Sequence, residues 1–508
     1  MSDKIMLKDI FIGKADGLAE AKRADFTTLF YNGNKNYNLL KDDESKFLIS
    51  GRKGTGKTIL AKYYEAEMRK SGSLVRFVNG NDILLRHIKE IGTSELNDKY
   101  VASFIKYTIL YEISTLILDN KRSVLKQYDL FSRWYINKII KRLEKIILPR
   151  RFQGNYTISD FTREVEESVS VESNDDLIGT KFGTKIGKLK KENYTKNSYF
   201  SIIDRLEKLV LAIINQVSVA IIFDDIDEYA EKLDGDSLFN SFLTKTIEII
   251  SEINEDIHQC TNKNSKIILL LRSDIIDKLQ TECTNINKII VDSQILLNWI
   301  GKIDVDNPEL NPLFDLILTK MKNSNSALYN KSTKEIYDMF FPKKVNKTET
   351  IKYIFRRSHG RPRDIVNLLN IIKKENPDAE RFEEKFFISA EKEYSKCFKD
   401  ELKNEASLTY NGDKISECFR MITLIGKTVF SMDDVKKTME ECNDQIKIIE
   451  DAKTFVDMMY EVGAIGNYRK VSGKSMYLFK YREDGADEPD YRYLFVVHQG
   501  LRKNLLRK

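Results

Sequence analysis

No two of the five cysteines stand close enough to make a C-x-x-C pair. Cys260, Cys283, Cys397, Cys418 and Cys442 are odd in number and far apart, a pattern that fits reduced thiols better than a disulfide scaffold or a zinc site. Histidine is scarcer still: His87, His258, His359 and His498 are equally scattered, so neither a histidine-based metal centre nor a structural metal is expected. Long apolar runs are also missing. The longest, "LVLAIINQVSVAIIF" at 209–223, is too short to cross a bilayer, contains Asn215 and Gln216, and ends in "DD". The opening "MSDKIMLKDIFIGKADG" has no signal-peptide core, and no internal repeats or low-complexity tracts occur. These absences lead to the expectation of a soluble cytoplasmic protein with no membrane partner.

A chain of 508 residues is too long for one ordinary core, so two to four domains are expected. Its net charge of +6 is mild for that length and does not by itself argue for a nucleic-acid or membrane surface. Four short apolar runs read as buried parallel strands: "KFLIS" (46–50), "LVRFV" (74–78), "VAIIF" (219–223) and "KIILLL" (266–271), with "KIIV" (288–291) as a fifth. Helix-like segments between them complete an α/β pattern.

The long interval 92–215 holds helical material over 95–148 and then a charged segment. There, six acids in 164–176 precede six lysines in 181–196, which reads as a charge-paired hairpin more readily than as a phosphate-binding patch. Beyond 300 the chain is mostly helical, with a long charged stretch over 377–404. The last hundred residues give three helices, with Gly426 stopping the first, Ser431 and Asp434 capping the second and Gly463 closing the third. The alternating segments 475–482 and 491–498 then suggest a two-stranded ribbon. This is a winged-helix order.

"GRKGTGKT" (51–58) satisfies G-x-x-x-x-G-K-[ST] with a strand before it and a helix after it. Gly51, Arg52, Lys53, Gly54, Thr55, Gly56, Lys57 and Thr58 would surround the phosphates of ATP. Glycines let backbone N–H groups turn inward, the helix start adds its dipole, Lys57 reaches the β- and γ-oxygens, and the Thr58 hydroxyl can ligate Mg²⁺. Such a site needs a second carboxylate at the end of a buried strand, and "VAIIFDDIDEYA" supplies Asp224. Asp225 follows where a general base orients water, with Glu228 in reserve. Two arginines suit phosphate sensing, Arg272 at the end of the fourth run and Arg363 in "GRPRD"; Arg356 and Arg357 are weaker candidates.

In that order, "GRKGTGKT", "IIFDDIDE", "LLLRSD" and "GRPRD" resemble the AAA+ and STAND branch of P-loop ATPases. More narrowly, the "FIGKADGLAEAK" leader, "LLNW" (296–299) and "FVVHQGLR" end resemble a bacterial ATPase family found in phage-defence and mobile-element contexts. The resemblance implies an ASCE/AAA+-like parallel-sheet core with a helical lid and a C-terminal winged helix, working as a nucleotide-driven switch or oligomer. The expected organisation is a leader over 1–40, a core over 41–300 with its insertion at about 92–215, a lid and connector over 301–404, and a winged helix over 405–508. Mg-ATP would bind between core and lid, and partners would be a second copy or an effector protein.

DNA or RNA stays open as a partner. The third C-terminal helix carries Asp451, Asp457 and Glu461 against Lys453, the wrong sign for phosphates. The wing side is basic, through Arg469, Lys470, Lys474, Lys480 and Arg482. Protein-facing packing and wing-led nucleic-acid contact are the two readings, and a DNA-dependent ATPase or loader is the alternative function.

Overall fold

All four apolar runs become strands: β1 (Leu48–Ser50), β2 (Leu74–Asn79), β3 (Val219–Asp224) and β4 (Lys266–Leu271). β3 and β4 are buried along their whole length, so they read as unbroken apolar runs without alternation. The computed structural model describes residues 4–79, 98–151, 199–226, 236–260, 264–283, 286–301, 303–407, 409–471, 473–482 and 485–506. The charged segment 163–196 and Glu228 lie outside the described residues.

With β5 (Gln294–Leu296), the strands form a sheet in the order β2–β3–β4–β1–β5. The pairs β2–β3, β3–β4 and β4–β1 are parallel. Leu269 is in register with both Phe223 and Leu48, so β3, β4 and β1 end at a common carboxyl edge.

The chain divides into two compact units, one holding 38–50 and 64–295 and the other 1–37, 51–63 and 296–508. After α1 (Lys57–Lys70), the sheet unit contains α2 (Asp98–Asp119), α3 (Leu130–Arg151), α4 (Tyr199–Ile214), α5 (Asp236–Cys260), α6 (Ser273–Glu282) and α7 (Ile286–Ser293). The helix spacing of Ile203, Leu206, Val210 and Ile213 on α4, and of Leu243, Ile247, Ile250 and Ile257 on α5, turns one face of each into the core. Val101–Asp119 is long and apolar enough to cross a membrane by length and composition, but 65% of it is buried inside the protein, as a core helix would be.

The run 288–291 is a helix and not the expected fifth strand. Ile286 and Ile290, four residues apart, are buried while Val291 is 70% exposed, a one-sided pattern that a helix satisfies. The edge strand is the next segment, 294–296.

Polar groups fix how these helices meet. Lys106 of α2 pairs with Glu207 of α4 at 2.9 Å and Glu252 of α5 at 2.8 Å. Burial disfavours the Glu207 carboxylate and raises its pKa, although Lys106 opposes the shift. Asn254 of α5 accepts from the Ile267 amide at 2.8 Å and donates to the Ile267 carbonyl at 3.0 Å, completing the backbone pairing of β4 where β1 has not yet begun.

The other unit is mainly helical: α8 (Pro312–Ser324), α9 (Thr333–Phe340), α10 (Thr350–Phe355), α11 (Pro362–Glu375) and α12 (Glu384–Ala406), with a small hairpin of β6 (Lys344–Val345) and β7 (Thr348–Glu349). The charged stretch 377–404 falls largely on α12, which buries Phe387, Ala390, Tyr394, Phe398 and Leu402 along one face. Leader residues Leu7, Ile10 and Ile12 join the same core, and Glu20 forms a buried ion pair with Lys320.

At the end of the chain come α13 (Gly412–Ile425), β8 (Val429–Phe430), α14 (Met432–Glu441), α15 (Ala452–Glu461), β9 (Ile465–Val471), β10 (Lys474–Leu478) and β11 (Leu494–Val497). Gly426 and Gly463 adopt the left-handed conformation at the ends of their helices, and Ser431 and Asp434 form the capping box. The strand order β10–β9–β11–β8 corrects the expected ribbon. Segments 475–482 and 491–498 do not pair with each other; β9 lies between them and pairs with both. Its Gly466 lets Leu478 and Phe479 approach closely, since a Cβ there would stand 2.6 Å from the Leu478 carbonyl.

Replacing Asn254 with Ala strands the Ile267 N–H and C=O in the core. Chemical denaturation should show a loss of about 3 kcal/mol, against a near-neutral effect if water restores both bonds.

Candidate functional site

β1 ends at Ser50, the glycine loop follows directly, and α1 begins at Lys57. A helix start presents backbone N–H groups and the positive end of the helix dipole, the arrangement that suits an anion. Gly54 has φ +85°, and a Cβ on it would lie 3.0 Å from Arg363 Cβ, so only glycine fits there without strain. At Gly51 a Cβ would come within 2.5 Å of Thr55 Oγ1.

Side chains pin the rest of the loop. The Thr55 hydroxyl donates to the Arg52 carbonyl at 2.8 Å, Lys57 Nζ donates to the Gly51 carbonyl at 2.8 Å, and Trp299 Nε1 donates to the Thr55 carbonyl at 2.8 Å. Thr58 occupies the first turn of α1, where the leader passes: a Cβ on Gly17 would meet Ile59 at 2.9 Å and Thr58 Cβ at 3.6 Å.

Two arginines at the start of α11 close on this loop, and sequence reasoning chose one of them. Arg363 donates through Nε to the Ala15 carbonyl at 3.0 Å and through its backbone N–H to Gly54 at 3.4 Å, with Glu401 3.8 Å from Nη1. Arg361 was not anticipated. It is 2% exposed, grips Asp364 with two donors at 3.2 and 3.1 Å, and reaches Glu405 at 2.7 Å and the Lys53 carbonyl at 3.1 Å. Burial works against its charge, but Asp364 and Glu405 outweigh burial and raise its pKa. Arg52 lies 3.5 Å from Glu405 as well. Of the weaker candidates, Arg357 pairs with Glu391 at 2.6 Å over the Tyr353 ring, and Arg356 is exposed.

The sheet unit carries the acidic residues. Asp224 is 3% exposed at the end of β3, opposite Asn79 of β2. Its Oδ1 accepts from the Asp225 amide at 3.0 Å, and Asn79 Nδ2 donates to Asp225 Oδ2 at 3.4 Å. Asp225 has φ +58°, a left-handed conformation that aspartate adopts more readily than most residues and that tends to occur at functional sites. Arg272, also buried, follows β4 at the same edge and makes a bidentate pair with Asp274 at 3.0 and 2.5 Å, a partner the sequence reading did not foresee.

Two clefts of this unit, of about 250 and 340 Å³, are lined by residues such as Phe47, Asn254 and His258 in one and Ser73, Ser218 and Asn264 in the other. Both lie at the amino ends of the strands, so neither is the acidic edge. Among the described residues no cluster of three or more His, Cys, Asp or Glu could hold a metal. The sheet unit has a buried oxygen donor in Asp224, and the Thr58 hydroxyl, in the other unit, is also a hard oxygen donor, the donor type that Mg²⁺ prefers.

A buried aromatic cluster ties the start of α11 to the C-terminal sheet. The His359 amide donates to Asp364 at 2.8 Å, its Nε2 meets the Gly463 carbonyl at 3.2 Å, and its ring stacks on Tyr481 at 4.2 Å. His498 lies 5.0 Å away ring to ring; its Nδ1 accepts from the Gly500 amide at 3.1 Å and its Nε2 meets the Tyr481 hydroxyl at 2.8 Å. An Nδ1 that accepts carries no proton, so this geometry holds His498 neutral. Burial lowers the pKa of both rings well below the ordinary value of 6.5, and nearby arginines add to the shift.

Residues 311–403, from α8 through most of α12, match the family model of a FunZ-associated C-terminal helical domain. No curated protein matches the chain.

The unfolded chain protonates these two histidines more easily than the folded one. Their contribution to stability is therefore complete above about pH 6.5 and falls as pH drops below it. Melting temperatures at pH 7.5 and 5.5 should differ less in His359→Phe, which keeps the ring stack, than in the parent; equal acid sensitivity would refute the assignment.

Proposed function

We propose that the chain is a P-loop ATPase of the AAA+/STAND kind that uses Mg-ATP to switch conformation or oligomeric state. The observation that carries this reading is the glycine loop, which runs from a buried parallel strand into a helix start and is pinned by Trp299, Arg361 and Arg363. Backbone N–H groups of 51–58 would surround the phosphates and Lys57 would neutralise their oxygens, while Thr58 and Asp224 are the residues that would hold Mg²⁺, which would supply charge neutralisation for phosphoryl transfer. Asp225 orients the attacking water. β4 runs between β1 and β3 and is followed by Arg272, which supports a role for that arginine in sensing the terminal phosphate.

The switch is read through α11. Arg363 borders Gly54 and Arg361 holds the Lys53 carbonyl, so a change in the loop is felt at the start of a helix that also anchors His359 and, through it, the C-terminal sheet. The C-terminal helices and sheet have the winged-helix order, and α15 faces its own chain. Asp451 caps the helix, Asp457 accepts from Tyr491, and Glu461 pairs with Lys480. These contacts favour the protein-facing reading over DNA loading. A role in phage defence, with a second copy or an effector as partner, follows from the family resemblance.

Lys57→Ala should abolish ATP binding, measured by equilibrium dialysis. Asp225→Asn should bind ATP and release phosphate about 100-fold more slowly, as expected for a lost general base. Unchanged hydrolysis in both variants rejects the assignment, and an unaltered mass with a non-hydrolysable ATP analogue rejects an oligomeric switch.

A further inference from the structure

The start of α3 is the most exposed apolar surface among the described residues. Leu130 is 78% exposed, Phe131 92%, Trp134 71% and Tyr135 46%. The opposite face of the same helix is buried through Ile136, Ile139, Ile140, Leu143 and Ile147, so the aromatic side is not a core face left half packed. Farther along that outer side, at helix spacing, stand the exposed Lys138, Lys141 and Lys145. Among the described residues none of the three makes an ion pair, and Lys138 Nζ lies 5.1 Å from the centre of the Trp134 ring.

Charge selects the occupant. Of residues 121–145, eight are Lys or Arg and two are acidic, an excess of six that equals the net charge of the whole chain. One of the two acids, Glu144, is paired with Lys121 at 2.8 Å. Such a surface attracts a polyanion and repels a second copy of itself.

Three polyanionic or acidic partners have to be distinguished: a lipid surface, an acidic protein and a nucleic acid. Asp129, the other acid, stands beside Leu130 and Phe131. Hydrogen bonds from the Ser132 hydroxyl and neighbouring amides lower its pKa, and an ionised carboxylate at the tip opposes insertion into hydrocarbon. The exposed apolar groups are three aromatics and one leucine, flat π-faces more than branched aliphatic bulk, as stacking on bases requires. Phe131 to Lys145 spans about 21 Å of helix, and successive lysines are about 4.5 to 6 Å apart along it. That separation lets them follow the phosphates of an extended strand.

We propose that this face of α3 binds single-stranded nucleic acid, with bases stacked on Phe131, Trp134 and Tyr135 and phosphates met by Lys138, Lys141 and Lys145. It is a site separate from the C-terminal wing and does not depend on the ATPase assignment.

The test is fluorescence anisotropy of a labelled twenty-residue oligothymidylate, run with the full chain and repeated in the Lys57→Ala background, so that a failed nucleotide assignment leaves the result readable. Three phosphate contacts predict about tenfold weaker binding between 50 and 150 mM salt. Trp134→Ala should weaken binding by about tenfold or more at an unchanged melting temperature, since the side chain is exposed. The pair Lys138→Glu and Lys141→Glu should weaken it further and flatten the salt dependence. The proposal is overturned if the oligonucleotide does not bind at 50 mM salt, or if Trp134→Ala binds as tightly as the parent. It is equally overturned if Trp134→Ala abolishes only binding to phosphatidylserine vesicles, or only self-association.

Discussion

The Arg361 guanidinium is a fully buried charge that the helical unit cannot leave unpaired. Removing one partner from a buried ion pair costs about 3–5 kcal/mol, because the other charge is left without compensation. Here one partner is local, Asp364 in the first turn of α11, and two are distant in sequence, Glu405 from α12 and the Lys53 carbonyl from the glycine loop. The loop conformation is therefore held by an electrostatic requirement of the unit's interior in addition to its own glycines. Asp364 also accepts from the His359 amide, so the same carboxylate that neutralises Arg361 orients the backbone leading to the buried histidine pair. Loop, helix start and C-terminal sheet share one set of hydrogen bonds.

The sheet edge solves a different problem with similar means. Asp224 is held at the end of a fully buried strand, and the chain must turn away at once without losing the backbone bonds of β3. Asp225 makes that turn with positive φ and gives its amide to Asp224. One residue thus reverses the chain, fixes the orientation of its neighbour and remains within reach of Asn79. Arg272 is held by Asp274 in the first turn of the following helix. Acid and base along this edge are oriented by residues one or two positions away, which makes the edge a local product of sequence.

That locality explains what could be read in advance. β3 and β4 were legible because burial on both faces leaves an unbroken apolar run, and Asp224 was legible because it ends one of them. "KIIV" looked the same over four letters, and only the one-sided burial of Ile286 and Ile290 distinguishes it as helix. β9 was hidden because "IGNYRKV" contains glycine, asparagine and two cations: Gly466 answers the close approach of Leu478 and Phe479, Asn467 bonds to the Asp490 backbone, and Arg469 lies over the Tyr493 ring. "GRPRD" shows two arginines, and nothing in the letters says that Arg361 turns inward while Arg363 borders Gly54. Trp299 could be flagged by resemblance, but its reason, a hydrogen bond to the Thr55 carbonyl, joins residues 244 positions apart.

Trp299 and Trp134 are the two tryptophans of the chain, and they sit in opposite settings, one 7% and the other 71% exposed. Each compact unit therefore contains its own native chromophore. The indole bonded to the glycine loop should emit toward the blue and resist iodide, while the one on α3 should emit toward the red and be quenched readily. Light emission from the unlabelled protein can thus be divided by quencher into a signal from the loop and a signal from the basic helix, with no dye and no added residue.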